Sequence, residues 1–238
     1  MIGDFSLFNT WNGKIMREII DKYKNDPLFK KKLFLSFIGV FFMGFFLAFL
    51  RKADLGTDPY TFMNVTVVGK INANRQIILF GTWQLILNII MLVIGWFWKK
   101  TLIGPGTVIN MVGVGYVSDL FYFITSKTIP DAVFTTFPQR AIIFAVALFG
   151  FAIAAAVYMS ADCGLSPYDL LCNQTGFSIK KVPFAITRIC CDFIPIIVGV
   201  LLGGKLNIGT VFIGLALGPA IQAVGKFMNE HILKMDEQ

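Results

Sequence analysis

Two short stretches carry the residue types most able to do chemistry in an otherwise apolar chain. One reads Ala53-Asp54-Leu55-Gly56-Thr57-Asp58-Pro59-Tyr60. The other reads Ala161-Asp162-Cys163-Gly164-Leu165-Ser166-Pro167-Tyr168 and continues into Asp169. Carboxylates in such a setting can hold a proton or a cation, and tyrosine hydroxyls can line a polar path. Arg188 and Asp192 stand four residues apart, so a helix places both on one face. Gln84 and Asn88 share that spacing earlier in the chain. The candidate substrate or ion pathway is therefore Asp54, Asp58, Tyr60, Asp162, Ser166, Tyr168, Asp169, Arg188 and Asp192. Other chemistries lack their parts. The single histidine, His231, lies in the tail, and Cys163, Cys172, Cys190 and Cys191 form no C-x-x-C pair. No Ser–base pair, metal-ligand cluster or phosphate-binding loop is evident. An enzyme is the weakest reading, and no cofactor or metal is expected.

The elements that must position these residues are membrane spans. The 238 residues are 56% hydrophobic and only 15% charged, with a mean hydropathy of +0.71. Soluble domains average about 45–50% apolar and about 25% charged, so lipid is the expected solvent. Apolar runs near 33–50, 76–98, 102–125, 140–160, 183–203 and 207–226 each approach the ~20 residues that cross ~30 Å of hydrocarbon. The expected class is all-α, a polytopic bundle of six transmembrane helices. Gly199 and Gly203, like Gly214 and Gly218, have the spacing that lets helices approach closely. The formal charge of +7 does not indicate nucleic acid, because Lys and Arg cluster at the ends of the apolar runs. Most of them fall on the inner side if both termini are cytoplasmic. Residues 1–32 read as an amphipathic, basic segment, with Phe8, Trp11, Ile15 and Ile19 at helical spacing.

The chain also repeats itself. The A-D-x-G-x-x-P-Y motif occurs twice, and Gly106-Thr107-Val108 precedes Gly115 as Gly209-Thr210-Val211 precedes Gly218. The expected organisation is a segment 1–32, repeat 33–125, loop 126–139, repeat 140–228 and tail 229–238. Three spans per repeat is an odd number, so successive repeats must be oppositely oriented, as in many transporters. Asp58-Pro59 and Ser166-Pro167 are helix starts, since Asp or Ser caps free amides and Pro suits the first helical position. Two placements fit the short segments that follow. They are half-helices dipping to the bilayer centre, or interfacial helices with Tyr60 and Tyr168 at the headgroups. Duplication of Asp54 and Asp162 favours the first, although an acid could also pair with Lys52. Asp119 is expected to face water.

The Gly56-Thr57-Asp58-Pro59-Tyr60 and Gly164-Leu165-Ser166-Pro167-Tyr168-Asp169 motifs, with the Gly-Thr-Val stretches, resemble the YczE/YyaS/YitT family of bacterial membrane proteins. That pattern often has Trp or Tyr after Pro and then Asp; Asp169 fits and Thr61 departs. The resemblance implies a multi-pass protein of the bacterial cytoplasmic membrane with no assigned substrate. The expected function is a small secondary transporter or permease for an unknown solute or ion, with the lipid bilayer as its solvent and a homo-oligomer allowed. The alternative is a scaffold or regulator acting through the basic N-terminal helix.

Overall fold

The computed structural model describes residues 23–24, 26–98, 102–178, 184–228 and 230. The amphipathic segment up to residue 22 and His231 lie outside them. Among the described residues from Phe29 onward, eight α-helices follow in order: α1 Phe29–Ala53, α2 Pro59–Ile71, α3 Phe80–Trp98, α4 Pro105–Thr128, α5 Phe137–Ser160, α6 Pro167–Ser178, α7 Phe184–Leu201 and α8 Ile208–Met228. A 3-10 turn, Asp131–Phe134, precedes α5, and no strand occurs among the described residues. Among the described residues five helices, α1, α3, α4, α5 and α8, are long and apolar enough to cross a membrane. The chain is thus a polytopic helical bundle. The run expected at 183–203 becomes α7, with 18 residues. The run expected from residue 76 starts only at Phe80, because Asn72 folds back to bind the Ile77 and Ile78 amides through its side-chain oxygen.

The outer surface is apolar, unlike that of a soluble protein. On α5, Ile142, Val146 and Phe149 are 66%, 63% and 69% exposed at helical spacing, a stripe suited to acyl chains. Inside, many polar groups bond one another, as the absence of water in a bilayer favours, for example Tyr60 to Asn88 and Trp83 to Asn64. The apolar core joins Val40, Leu47 and Leu50 of α1 to Phe151, Ala155 and Tyr158 of α5. Gly39 lets α1 press onto α5, where a Cβ would stand 2.8 Å from the Tyr158 amide. Small residues serve this purpose in bilayers, where no hydrophobic force separates helix from lipid.

Packing pairs off between the two halves of the chain. α1 lies against α4 as α5 lies against α8, and α3 against α4 as α7 against α8. The short helices cross over: α2 packs on α7 of the other half, and α6 on α3. Between the long helices of the two halves, α1 and α5 meet directly.

Candidate functional site

Each short helix is built by its own sequence. The Asp58 side chain accepts from the Thr61 amide at 3.0 Å, with Pro59 in the first helical position. The Ser166 hydroxyl accepts from the Asp169 amide at 3.1 Å, again just ahead of a proline. Both helix starts therefore direct their positive ends into the protein. At 13 and 12 residues, α2 and α6 reach only ~18–20 Å at 1.5 Å per residue, too short to cross.

The stretches leading into them are also matched. Asp54 and Asp162 have left-handed φ values of 49° and 48°, and Gly56 and Gly164 have φ of 134° and 111°. At Gly56 a Cβ would fall on the backbone of Gly209 and Thr210; at Gly164 it would stand 2.6 Å from the Gly104 amide nitrogen. Glycine is required twice, for conformation and for space. The loops then swap hydrogen bonds: the Gly209 amide donates to the Leu55 carbonyl at 3.1 Å, and the Gly106 amide to the Cys163 carbonyl at 2.7 Å. Each motif thus seats against the Gly-Thr-Val helix start of the other half.

These seats bring the helix starts together. The rings of Tyr60 and Tyr168 stack with centroids 4.8 Å apart and planes 18° from parallel. The Tyr60 hydroxyl donates to Asn88 at 3.0 Å, and the Tyr168 hydroxyl to Asp192 at 2.6 Å. Asn88 and Asp192 are both mid-helix, in α3 of 19 residues and α7 of 18. The two tyrosines therefore meet at the middle of the bundle, at equivalent positions.

The second half carries the charge. Arg188 is 6% exposed. It donates through Nη1 to Asp169, and its Nε lies 3.4 Å from Asp192. The Ser166 hydroxyl donates to Asp169 at 2.6 Å, and the Arg188 guanidinium sits 4.9 Å from the Tyr168 ring centroid. Arg188 is thus held by two acids and an aromatic face. At the twin positions the first half has Thr61, Gln84 and Asn88, all neutral, and Asp58 where the second half has Ser166.

A cavity of about 60 Å³ opens among Asp58, Tyr60, Gln84, Tyr168, Asp169 and Arg188. A water needs roughly 10–15 Å³ of such space, so it suits a few waters, an ion or a very small solute. Gln84 Oε1 and Asn110 Nδ2, both lining it, and Asp192 Oδ2 beside it are buried without a hydrogen-bond partner. A second groove of about 170 Å³, lined by Arg51, Asp54, Thr57, Lys205, Asn207 and Thr210, ends one residue from Asp58.

The structure brings together Asp58, Tyr60, Ser166, Tyr168, Asp169, Arg188 and Asp192. It does not bring Asp54 or Asp162 to the cavity. Both terminate helices in the left-handed conformation that Asp tolerates. Asp54 is 82% exposed and pairs with Arg140 at 3.3 Å, not with Lys52, whose ammonium lies over the Phe134 ring at 4.7 Å. Asp119 does not face water as expected: it accepts from Arg51 at 2.9 Å and from the Gly81 amide at 2.7 Å. Gly203 serves a turn after α7 at φ 80°, not helix packing. Sequence reasoning missed Asn110 and Tyr158. Asn110 follows Gly106-Thr107 by one helical turn, which was a usable signal. Tyr158, which donates to the Gly164 carbonyl at 2.9 Å, read only as part of an apolar span.

Similarity to known proteins gives a family and no activity. The family model described as "Family of unknown function (DUF6198)" matches residues 30–226. An uncharacterized protein of Haemophilus influenzae is 26% identical over 176 residues, covering 71% of this chain and 72% of the relative. No solved structure matches.

Proposed function

The chain belongs to this family of unknown function, DUF6198, and from that premise we propose that it is a small secondary transporter of inverted-repeat type. The observation that carries the reading is the Tyr60–Tyr168 stack, where the starts of two short helices meet beside a buried arginine–carboxylate cluster. Buried ionisable groups within a membrane bundle are costly and mark pathways for ions or solutes. Matched packing, swapped backbone bonds and equivalent tyrosine contacts support two oppositely oriented repeats, with α2 and α6 as half-helices entering from opposite faces. In that arrangement α7 is the sixth span, both termini are cytoplasmic and the host is the bacterial plasma membrane. The motif resemblance to the YczE/YyaS/YitT proteins supports the same location.

The substrate class is a small solute or ion, because the cavity has no room for more. The groove beside Thr57 supplies an approach from one face, and the tyrosine stack closes the centre. Asp58, Asp169, Arg188 and Asp192 hold and couple charge, while Tyr60 and Tyr168 form the gate.

Single cysteines at positions 60 and 168, in a chain lacking Cys163, Cys172, Cys190 and Cys191, test this. Slow labelling of both by membrane-impermeant thiol reagents, altered by candidate solutes, is the expected result. Rapid labelling of each from one face only, unaffected by any solute, would place both tyrosines at the surface and sink the proposal.

A further inference from the structure

The two halves hold the same kinds of positions but not the same charges. In the second half an acid on the short helix, Asp169, meets a guanidinium on the next helix, Arg188. In the first half the short helix carries its acid one turn earlier, at Asp58, which is 5% exposed. The position equivalent to Arg188 is Gln84, whose Oε1 is buried, lines the same cavity and has no hydrogen-bond partner. Arg188 gives its ion pairs to Asp169 and Asp192; among the described residues none goes to Asp58. Thr61, through its amide at 3.0 Å and its side chain, bonds the Asp58 carboxylate, and Arg188 acts on it only at a distance.

A charge balance points the same way. Asp58, Asp169 and Asp192 bring three negative charges when ionised, and Arg188 brings one positive. Two helix starts, each equivalent to roughly half a positive charge, leave the centre short by about one positive charge. A buried charge needs a partner. Of the acceptors with spare capacity, the Asp58 carboxylate and Gln84 Oε1 line the cavity, while Asp192 Oδ2 lies beside it; all are hard oxygens. Their cavity of about 60 Å³ fits an ion and a few waters.

We propose that Asp58 and Gln84 hold one monovalent alkali cation, which does in the first half what the Arg188 guanidinium does in the second. This deepens the transport reading, on which it rests: the cation is the coupling ion, bound at the base of α2 beside the tyrosine gate. Arg188 then acts as its built-in counterpart, a fixed charge that keeps the second half locked while the first half exchanges its ion.

The test is cation-dependent stability of the purified full-length chain in nanodiscs. Chloride salts of sodium, potassium and N-methylglucamine are compared at one ionic strength and one pH. A bound cation at a hundredfold excess over its Kd is expected to raise the Tm by about 5–10 °C. Asp58→Asn is expected to weaken the response at least tenfold. Gln84→Arg supplies the missing charge from the protein itself, so its Tm is expected to stay high in all three salts. Should Asp58→Asn fail to fold, Gln84→Leu decides, since it removes the oxygen and leaves the α2 cap intact; its response is expected to fall. Equal Tm values for the parent chain in all three salts would overturn the proposal. So would an undiminished response in Asp58→Asn, or a shift that follows pH and ignores the cation, which would make the ligand a proton. The readout is binding, so it separates the two claims. A cation-insensitive protein whose positions 60 and 168 are solute-sensitive loses this inference alone. A cation-binding protein with both positions at the surface loses the transport reading and keeps the site.

Discussion

Replacing Arg188 by methionine removes one partner from a buried charged cluster. The arginine side chain is 8% exposed and those of its partners Asp169 and Asp192 are 11% and 2%. Asp192 already leaves Oδ2 without a hydrogen bond. Removing one member of a buried ion pair costs about 3–5 kcal/mol, because the remaining charge is stranded. At about 2–4 °C per kcal/mol for a chain of this size, the Tm falls by about 6–20 °C. The same principle predicts recovery. Neutral replacement of a whole buried ion cluster is often harmless, so Arg188→Met combined with Asp169→Asn and Asp192→Asn is expected to return within about 2 kcal/mol of the parent. Asn at both positions keeps an oxygen for the Ser166 and Tyr168 hydroxyls. The assay is reversible denaturation in detergent or nanodiscs, reading single, double and triple variants as a thermodynamic cycle. A single variant within about 1 kcal/mol of the parent would refute the buried cluster. A triple variant as unstable as the single would refute the stranded-charge reasoning.

Three further outcomes are expected. Gly56→Ala and Gly164→Ala should each lose at least about 1–2 kcal/mol, from the left-handed conformation alone, with similar losses if the halves are structurally equivalent; a loss at one position only breaks the symmetry argument, as measured by the same denaturation assay. Tyr60→Phe removes a neutral hydrogen bond to Asn88 and should cost about 0.5–1.5 kcal/mol, whereas Tyr168→Phe removes the donor to a carboxylate and should cost about 1.5–3 kcal/mol; the reverse order would contradict the charge asymmetry. Asp54→Gly should lie within about 1 kcal/mol of the parent, because its exposed pair with Arg140 contributes little and glycine suits the left-handed cap; a loss of transport with normal stability would instead give Asp54 a direct role.

What the sequence determined was local. Apolar runs of sufficient length made the spans, because the choice between lipid and water is made within ~20 residues. Asp58-Pro59 and Ser166-Pro167 started helices, because a cap needs only a side-chain oxygen three residues before a free amide. The duplicated motif announced two related halves, and the four-residue spacing put Arg188 and Asp192 on one face. Tertiary structure decided everything that depended on residues far apart. Asp54 and Asp162 looked like paired pathway acids, yet their repetition reflects a helix end that turns through a left-handed residue; backbone conformation and an ionic role leave the same mark in a sequence. Arg188 gained Asp169 as a partner only because α6 and α7 pack side by side. Asp119 found Arg51 and the Gly81 amide, where an acid near a span end otherwise reads as solvent-facing. The stack of Tyr60 on Tyr168 required each motif loop to seat on the Gly-Thr-Val start of the opposite half. Small residues allow such approaches at many places along a membrane helix, and only the assembled packing selects which of them are used.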